Sequence, residues 1–357
     1  MPGRRQSWKP ALWIAPAAVV VLVAVGLWRH LSGPAFAEES PAAVMGTDTN
    51  LKVVAADEAT ARKALAEAES ALRKVEIQAS WRIDASDVAR LNATGADQPV
   101  VLSAVTLDIL RVSRRAWERT DGAFDVTVLP LIEVWMTAAS AGSLPTAKEL
   151  AAAREASSWS GLEIGEQSAV KRAASVRVDL GGIAKGYGID RAVEAMKAAG
   201  ATGGLVDVGG DIRCFGRAPN GASAWGVAVR DPFAAEDSVL LMLAVRDDRA
   251  VCTSGNYRRN SRIAGRLYSH IVDPRRDGPT ALQALPADRT PASVTVVAPT
   301  ATRADVWATA LSVLGPEGLD RLPDGIEAMV VVGGPGDYRL RRTPGFAKLM
   351  DPAERSP

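Results

Sequence analysis

The stretch VDLGGIAKGYGID, residues 178–190, sets Asp179 ahead of two glycines and Lys185 and Tyr187 behind them. Glycine removes the Cβ, so backbone N–H and C=O groups can come close to a ligand. A helix that begins just after such a loop offers its N-terminus to an anion, and Lys185 adds a positive charge suited to phosphate. The spacing is neither G-x-G-x-x-G nor G-x-x-x-x-G-K-[ST], so the dinucleotide and P-loop fingerprints do not apply. A plain tight turn would use the same glycines. VDVGGDIRCFG, residues 206–216, repeats the Asp-x-Gly-Gly theme one strand later, which favours a ligand shared by the two loops.

In ATRADVWATALSVLG, residues 301–315, Asp305 and Thr309 lie four apart and share one helix face. A carboxylate and a hydroxyl make a hard-oxygen pair suited to Mg²⁺, which keeps substrate phosphates in its shell. The plainer reading of the same pair is a dipole-stabilised aspartate and a threonine bonded to its own helical turn. His270 closes a strand pattern just before the Asp273-Pro274 turn signal. An imidazole there can take a proton from a hydroxyl or hydrogen-bond a phosphate, or serve structure alone.

The elements that must position these residues follow from periodicity and punctuation. Residues 51–56 read as a strand, and a helix follows from Asp57 with Ala61, Leu65, Leu72 and Val75 on one face. A second helix runs through Leu107, Leu110 and Trp117 and ends near Asp121-Gly122. Residues 137–160 read as helix with surface loops, residues 189–199 as helix, and residues 204–208 as strand. Further strands are expected at 225–229, 239–245, 250–253, 268–272 and 293–298. A helix over 302–314 then leads to a hairpin, 328–332 with 338–340, around GGPGD. Strands and helices that segregate in this way predict an α+β fold rather than a doubly wound sheet.

Bulk composition narrows the partners. The 357 residues carry 42 Lys plus Arg against 41 Asp plus Glu, so no polyanion-binding surface and no nucleic-acid partner is expected. Apolar residues make up 47%, ample for a packed core. Cys214 and Cys252, the two cysteines, lack metal-site spacing. An oxidising compartment permits a disulfide between them, and two separate buried thiols fit equally. Arg4, Arg5 and Lys9 precede an uncharged apolar run over residues 11–28, and Ala35-Phe36-Ala37 follows as an A-x-A-like cleavage site. This reads as a signal peptide or a short inner-membrane anchor that exports the rest of the chain to the periplasmic side.

In combination, MGTDTN, SDVARLN, DGAFDVTVLPLIEVW, VDLGGIAKGYGID, DVGGDI, TSGNY, YSHIVDP and VTVVAPTATRADVWATALSVLG resemble, in order and spacing, the ApbE family of FAD:protein FMN transferases. The resemblance runs from about Val44 to Leu340. It implies an ApbE-like (T-fold-like) fold of mixed sheets flanked by helices. Residues 1–37 are then the signal or anchor, 38–345 the transferase domain and 346–357 a C-terminal tail. It implies FAD as substrate and Mg²⁺ as cofactor, with FMN passing to a Ser or Thr hydroxyl of another protein and AMP leaving. Gly182 (through its carbonyl), Asp305 and Thr309 match the family's metal ligands. Met45, Ala123, Phe124, Asp125, Asp179, Lys185 and Ile271 match FAD-contacting positions, and Trp81 takes the place of a flavin-stacking residue. His270 matches the histidine near the transferred phosphate, so His270 and Asp305 are the expected catalytic pair. The acceptor expected from the resemblance is a subunit of an exported or membrane electron-transfer complex. A Mg²⁺-dependent FAD pyrophosphatase and a non-catalytic flavin-binding partner of such a complex are the alternatives. Val126 stands where the family usually has proline, and no lipid-modified cysteine follows the first segment, so anchoring would fall to residues 11–28.

A periplasm-active reporter fused after residue 45 is expected to be active in cells; a silent fusion retained in the cytoplasm contradicts export.

Overall fold

The computed structural model describes residues 34–234, 238–255, 260–276, 278–281 and 290–350. The basic front and apolar run of residues 4–28 lie outside the described residues, as do Asn256 and Tyr257 of TSGNY. Among the described residues no helix is long and apolar enough to cross a membrane.

The chain opens with β1 (Ala35–Glu39) and β2 (Thr49–Ala55), then α1 (Glu58–Ala79), α2 (Asp87–Ala93), β3 (Pro99–Val101) and α3 (Ala104–Arg119). Next come α4 (Leu129–Ala141), α5 (Ala147–Ala156), β4 (Leu162–Ile164), β5 (Ser168–Lys171) and α6 (Ala184–Ala198). β6 (Gly203–Val208), β7 (Asp211–Gly216), β8 (Trp225–Arg230), β9 (Val239–Val245) and β10 (Ala250–Gly255) follow. The last elements are β11 (Asn260–Ile263), β12 (Arg266–Asp273), β13 (Gly278–Ala281), β14 (Pro291–Ala298), α7 (Ala301–Leu314), β15 (Glu327–Gly334) and β16 (Asp337–Arg342).

An eight-stranded sheet in the order β1-β2-β6-β7-β10-β14-β15-β16 forms the frame, every neighbouring pair antiparallel. Its inner strands are buried on both faces. Val294, Val296, Ala328 and Val330 face the helices, while Val297, Met329 and Val331 face a second core under the β8–β9 hairpin. That is why SVTVVA and AMVVV read as unbroken apolar runs rather than as alternation. The fold is α+β, as the separation of elements predicts.

α1 forms because Asp57 caps it through Thr60 N–H at 2.8 Å and its apolar residues recur at helical spacing. Ala61, Ala64, Leu65, Ala68, Leu72 and Val75 are all buried against the helical layer. Among the described residues, two three-stranded sheets, β3-β5-β4 and β11-β12-β13, stand beside the frame and the β8–β9 hairpin. The second carries His270 and packs on α4, with Trp135 and Tyr268 ring centroids 5.2 Å apart.

Four expectations need correction or refinement. The helix expected from residue 189 begins at Ala184, because Gly186 and Gly188 serve close packing rather than a turn. A Cβ on Gly186 would lie 2.3 Å from the Ala301 carbonyl oxygen and 2.8 Å from Asp305 Cβ. Residues 346–350, expected to begin the tail, are packed: Phe346 and Met350 are buried in the second core, and Met350 bridges Leu243. Cys214 and Cys252 are free, buried thiols in different cores on opposite faces of the sheet, so no disulfide joins them. Ala35-Phe36-Ala37, the expected cleavage site, forms most of β1 and pairs with residues 53–55 of β2. Cleavage after Ala37 would leave Glu38 and Glu39 alone on that edge.

Gly186→Ala is expected to lower the unfolding free energy by about 1–3 kcal/mol, the usual cost of overpacking against backbone. Gly188→Ala should cost less, because its Cβ would meet only the Met45 thioether at 3.2 Å and a Leu72 methyl at 3.3 Å. Urea titration of the two variants checks the order.

Candidate functional site

The loop before α6 is built by its own side chains. Asp179 N–H donates to the Val126 carbonyl at 2.8 Å, and the Asp179 carboxylate accepts Gly181 N–H at 2.7 Å. Ala184 N–H then donates to the Leu180 carbonyl at 2.8 Å, which starts the helix. In an uninterrupted helix Gly186 N–H would point at the Gly182 carbonyl. Here it donates to Asp305 Oδ2 of α7 at 3.0 Å, which leaves the Gly182 carbonyl outside the helix's own bonding.

α7 is held against this loop by Asp190. Its Oδ1 accepts Ala301 N–H at 2.8 Å and an Arg213 N–H at 2.7 Å, and its Oδ2 accepts Thr302 N–H at 2.9 Å and the Thr302 hydroxyl at 2.5 Å. A buried carboxylate from one helix therefore caps the N-terminus of the other, where the backbone donors and the dipole favour it. One turn on, Asp305 and Thr309 face the loop. An ideal Cβ on Gly182 would sit 3.3 Å from Thr309 Oγ1 and 3.3 Å from the Phe124 ring. Lys185 Nζ pairs with Asp211 and lies 3.6 Å from Asp305 Oδ1.

The 120–125 turn delivers Phe124. Thr120 Oγ1 donates to the Ala116 carbonyl at 2.8 Å and accepts Phe124 N–H at 3.0 Å, while Asp121 and Gly122 take positive φ. Phe124 and Ala123 are buried. Asp125 caps the next turn through Thr127 N–H and hydroxyl, both at 2.7 Å. Burial nevertheless pushes its carboxyl up to about 6, against those bonds and the Trp117 indole. Beside it opens a cavity of about 310 Å³ walled by Trp117, Trp159, Ser157 and Arg275. Burial also raises the Asp179 carboxyl, opposed by Gly181 N–H, the Trp81 indole and the Arg82 charge.

The remaining expected residues fall on the rim. Met45 takes a positive φ of 56°, donates its N–H to Glu76 Oε1 at 2.8 Å, and lays its thioether over Gly188. Trp81 is half-buried under the Arg82 guanidinium, 4.2 Å from its ring centroid. His270 is exposed and Ile271 half-buried on β12, which packs beside α7. The loop and α7 are thus in direct contact, while His270 and Ile271 arrive on a separate small sheet.

The second glycine pair behaves differently from the first. Gly209 and Gly210, at φ 67° and 91°, form the two-residue turn joining β6 to β7. Asp211, next to that turn, reaches the start of α6 through Lys185, and Arg213 reaches Asp190 further along it. Asp190 and Asp211 are contributors that spacing did not single out, although both stand inside quoted motifs. Trp117, read in the sequence only as part of a helix, and Trp159 wall the cavity without a sequence signal for that place.

Among the described residues no three His, Cys, Asp or Glu side chains converge. The donors at hand are one carboxylate, one hydroxyl and one backbone carbonyl, all hard oxygens. Such a set suits Mg²⁺, which takes few protein ligands and leaves room for phosphate oxygens and water.

The sequence pattern of the ApbE family matches residues 45–330. The chain belongs to the ApbE family. Its relatives include the FAD:protein FMN transferase of Klebsiella pneumoniae, 30% identical over 86% of this chain and 87% of that protein. The Vibrio cholerae FAD:protein FMN transferase is 32% identical over 81% of this chain and 82% of its own. Among solved ApbE structures, the Vibrio cholerae flavin transferase superposes with a TM-score of 0.74 at 28% identity, covering 88% of this chain and 99% of that one. The apo Pseudomonas stutzeri flavinyl transferase gives 0.75 at 29%, covering 88% and 97%. The ApbE fold expected from the sequence is therefore the fold observed.

Gly182 is absent from the residues with positive φ, so alanine fits its backbone. Gly182→Ala should lower the ligand-free melting temperature only slightly, because its Cβ would meet Phe124 and Thr309 at 3.3 Å. Gly182→Val adds β-branched bulk between Phe124 and Thr309, and is expected to abolish FAD binding with only a modest fall in melting temperature. Normal FAD affinity in Gly182→Val, by fluorescence titration, contradicts a ligand at this loop.

Proposed function

We propose that this ApbE-family chain is a Mg²⁺-dependent FAD:protein FMN transferase that moves FMN from FAD to a Ser or Thr hydroxyl and releases AMP. The observation that carries the reading is the junction of loop and α7. It brings the Gly182 backbone, the Asp305 carboxylate, the Thr309 hydroxyl and the Lys185 ammonium together. The names and coverage of its relatives support the same activity.

These residues have separable tasks. Lys185 and the backbone donors at the start of α6 attract the pyrophosphate. Gly182, Asp305 and Thr309 would hold Mg²⁺, which when bound neutralises charge on the pyrophosphate and on departing AMP. The acceptor oxygen attacks the FMN phosphorus in line, the bond from that phosphorus to the bridging oxygen breaks, and AMP leaves with that oxygen. Asp305 already faces Gly186 N–H and the Lys185 ammonium. We therefore assign proton removal from the hydroxyl to His270, whose imidazole nitrogen can accept a proton. Its exposed position on β12 suits an acceptor that is itself a protein. Residues 4–28 support a place on the periplasmic side of the inner membrane, and an acceptor in an exported or membrane electron-transfer complex.

The purified protein, incubated with FAD, Mg²⁺ and a candidate acceptor, should add one FMN to the acceptor by intact mass and release one AMP. AMP with free FMN and an unmodified acceptor would mean pyrophosphatase activity instead. Asp305→Ala should lower transfer by about 100-fold or more, as loss of one preorganised electrostatic group does. Unchanged metal dependence in that variant contradicts the assignment.

A further inference from the structure

Lys185 stands between two carboxylates. Its side chain is 31% exposed, whereas those of Asp211 and Asp305 are 5% and 4% exposed. Asp211 is fixed from behind: as the first residue of β7 it follows the Gly209-Gly210 turn, and its Oδ1 accepts Thr253 N–H from β10 at 3.0 Å. Its Oδ2 is left to take the ammonium. Asp305 Oδ2 is engaged by Gly186 N–H, and Asp305 Oδ1 lies 3.6 Å from Lys185 Nζ. One ammonium shared by two carboxylates leaves a local charge of about minus one, concentrated on Asp305, where opposite charge is most favourable in a poorly solvated site.

We propose that Asp211 is a positioning residue that draws the Lys185 ammonium off Asp305, keeping that carboxylate available to a divalent cation and aiming the ammonium at the phosphates. The proposal rests on the reading of Asp305 as a cation ligand. A lysine side chain turns about several bonds, so its resting place follows the strongest carboxylate in reach. Without the Asp211 charge, the neighbouring carboxylate is Asp305, already 3.6 Å away. The ammonium then closes on Asp305, the pair becomes neutral, and an incoming cation must displace it. Asp211 touches neither substrate nor metal in this scheme; it acts through Lys185.

A double-mutant cycle on the full protein tests this, with Mn²⁺ as probe and its free form counted by electron paramagnetic resonance, FAD present and acceptor absent. Asp211→Asn keeps the oxygen that accepts Thr253 N–H and removes the charge. It is expected to weaken Mn²⁺ binding about tenfold in the Lys185 background, and by less than about twofold once Lys185→Gln has removed the ammonium. Asp211→Glu, which restores the charge, should recover most of the affinity. Equal loss in both backgrounds would mean that Asp211 acts by bulk charge or by folding alone, and overturns the proposal while leaving the site reading intact. A wild-type protein that binds no Mn²⁺ under these conditions overturns the site reading and the proposal with it.

Discussion

The α6–α7 crossing is the constraint on which the site depends. Two helices distant in sequence approach so closely that Gly186 has no room for a Cβ against the Ala301 carbonyl. The approach is secured by Asp190, which takes the first free N–H groups of α7 into a buried carboxylate. Such a group is costly to bury unless every oxygen is satisfied. Here both are, with Arg213 supplying the opposite charge. Moving either helix by an ångström would separate Asp305 from Gly186 N–H and Thr309 from the Gly182 loop together, so the donor set is assembled as one unit.

The sheet explains why that crossing can be rigid. Its central strands are covered by helices on one face and by the β8–β9 core on the other, so the helical layer rests on a surface packed from behind. Dense packing on both sides resists small displacements. Residues 346–350 contribute to the rear core, so the chain's last described turn also braces the strands behind α7. His270 belongs to a different unit, the β11-β12-β13 sheet on α4, whose small cluster of Ala138, Ile263 and Tyr268 is separate from both large cores. The loop–α7 junction thus sits on the most deeply packed elements, and His270 on a lighter one.

Electrostatics at the junction are economical. Lys185, Asp211 and Asp305 place both signs within a few ångströms, and buried neighbours fix them in orientation. Among the described residues, Asp125 and Asp179 have no such ammonium beside them, and burial raises their carboxyls despite backbone and indole donors. Carboxyls that are shielded from water yet close to a cavity respond strongly to any charge brought beside them.

Local signals in the chain were enough for the α+β class, the long helices, the strand runs and the Pro335-Gly336 hairpin, since each depends on periodicity or turn chemistry within a few residues. Helical spacing alone put Asp305 and Thr309 on one face. The motif series located the loop, the turn at Phe124 and His270, because the order of short stretches is itself a sequence property. What local pattern could not supply was the meaning of the glycines. Gly186 and Gly188 read as loop formers but are helical, since the reason for them is the closeness of α7 and α1 and not their own φ. Gly209 and Gly210, similar in spelling to Gly181 and Gly182, make a hairpin turn. The roles of Asp190 and Asp211 arise from partners more than 20 residues away, Ala301 and Thr302 for one, Lys185 and Thr253 for the other. Cys214 and Cys252 stay apart because β7 and β10 turn them to opposite faces. Elements follow from neighbours along the chain; contacts, charges and the site's geometry follow from neighbours in space, which only packing of the whole sheet and its helices brings together.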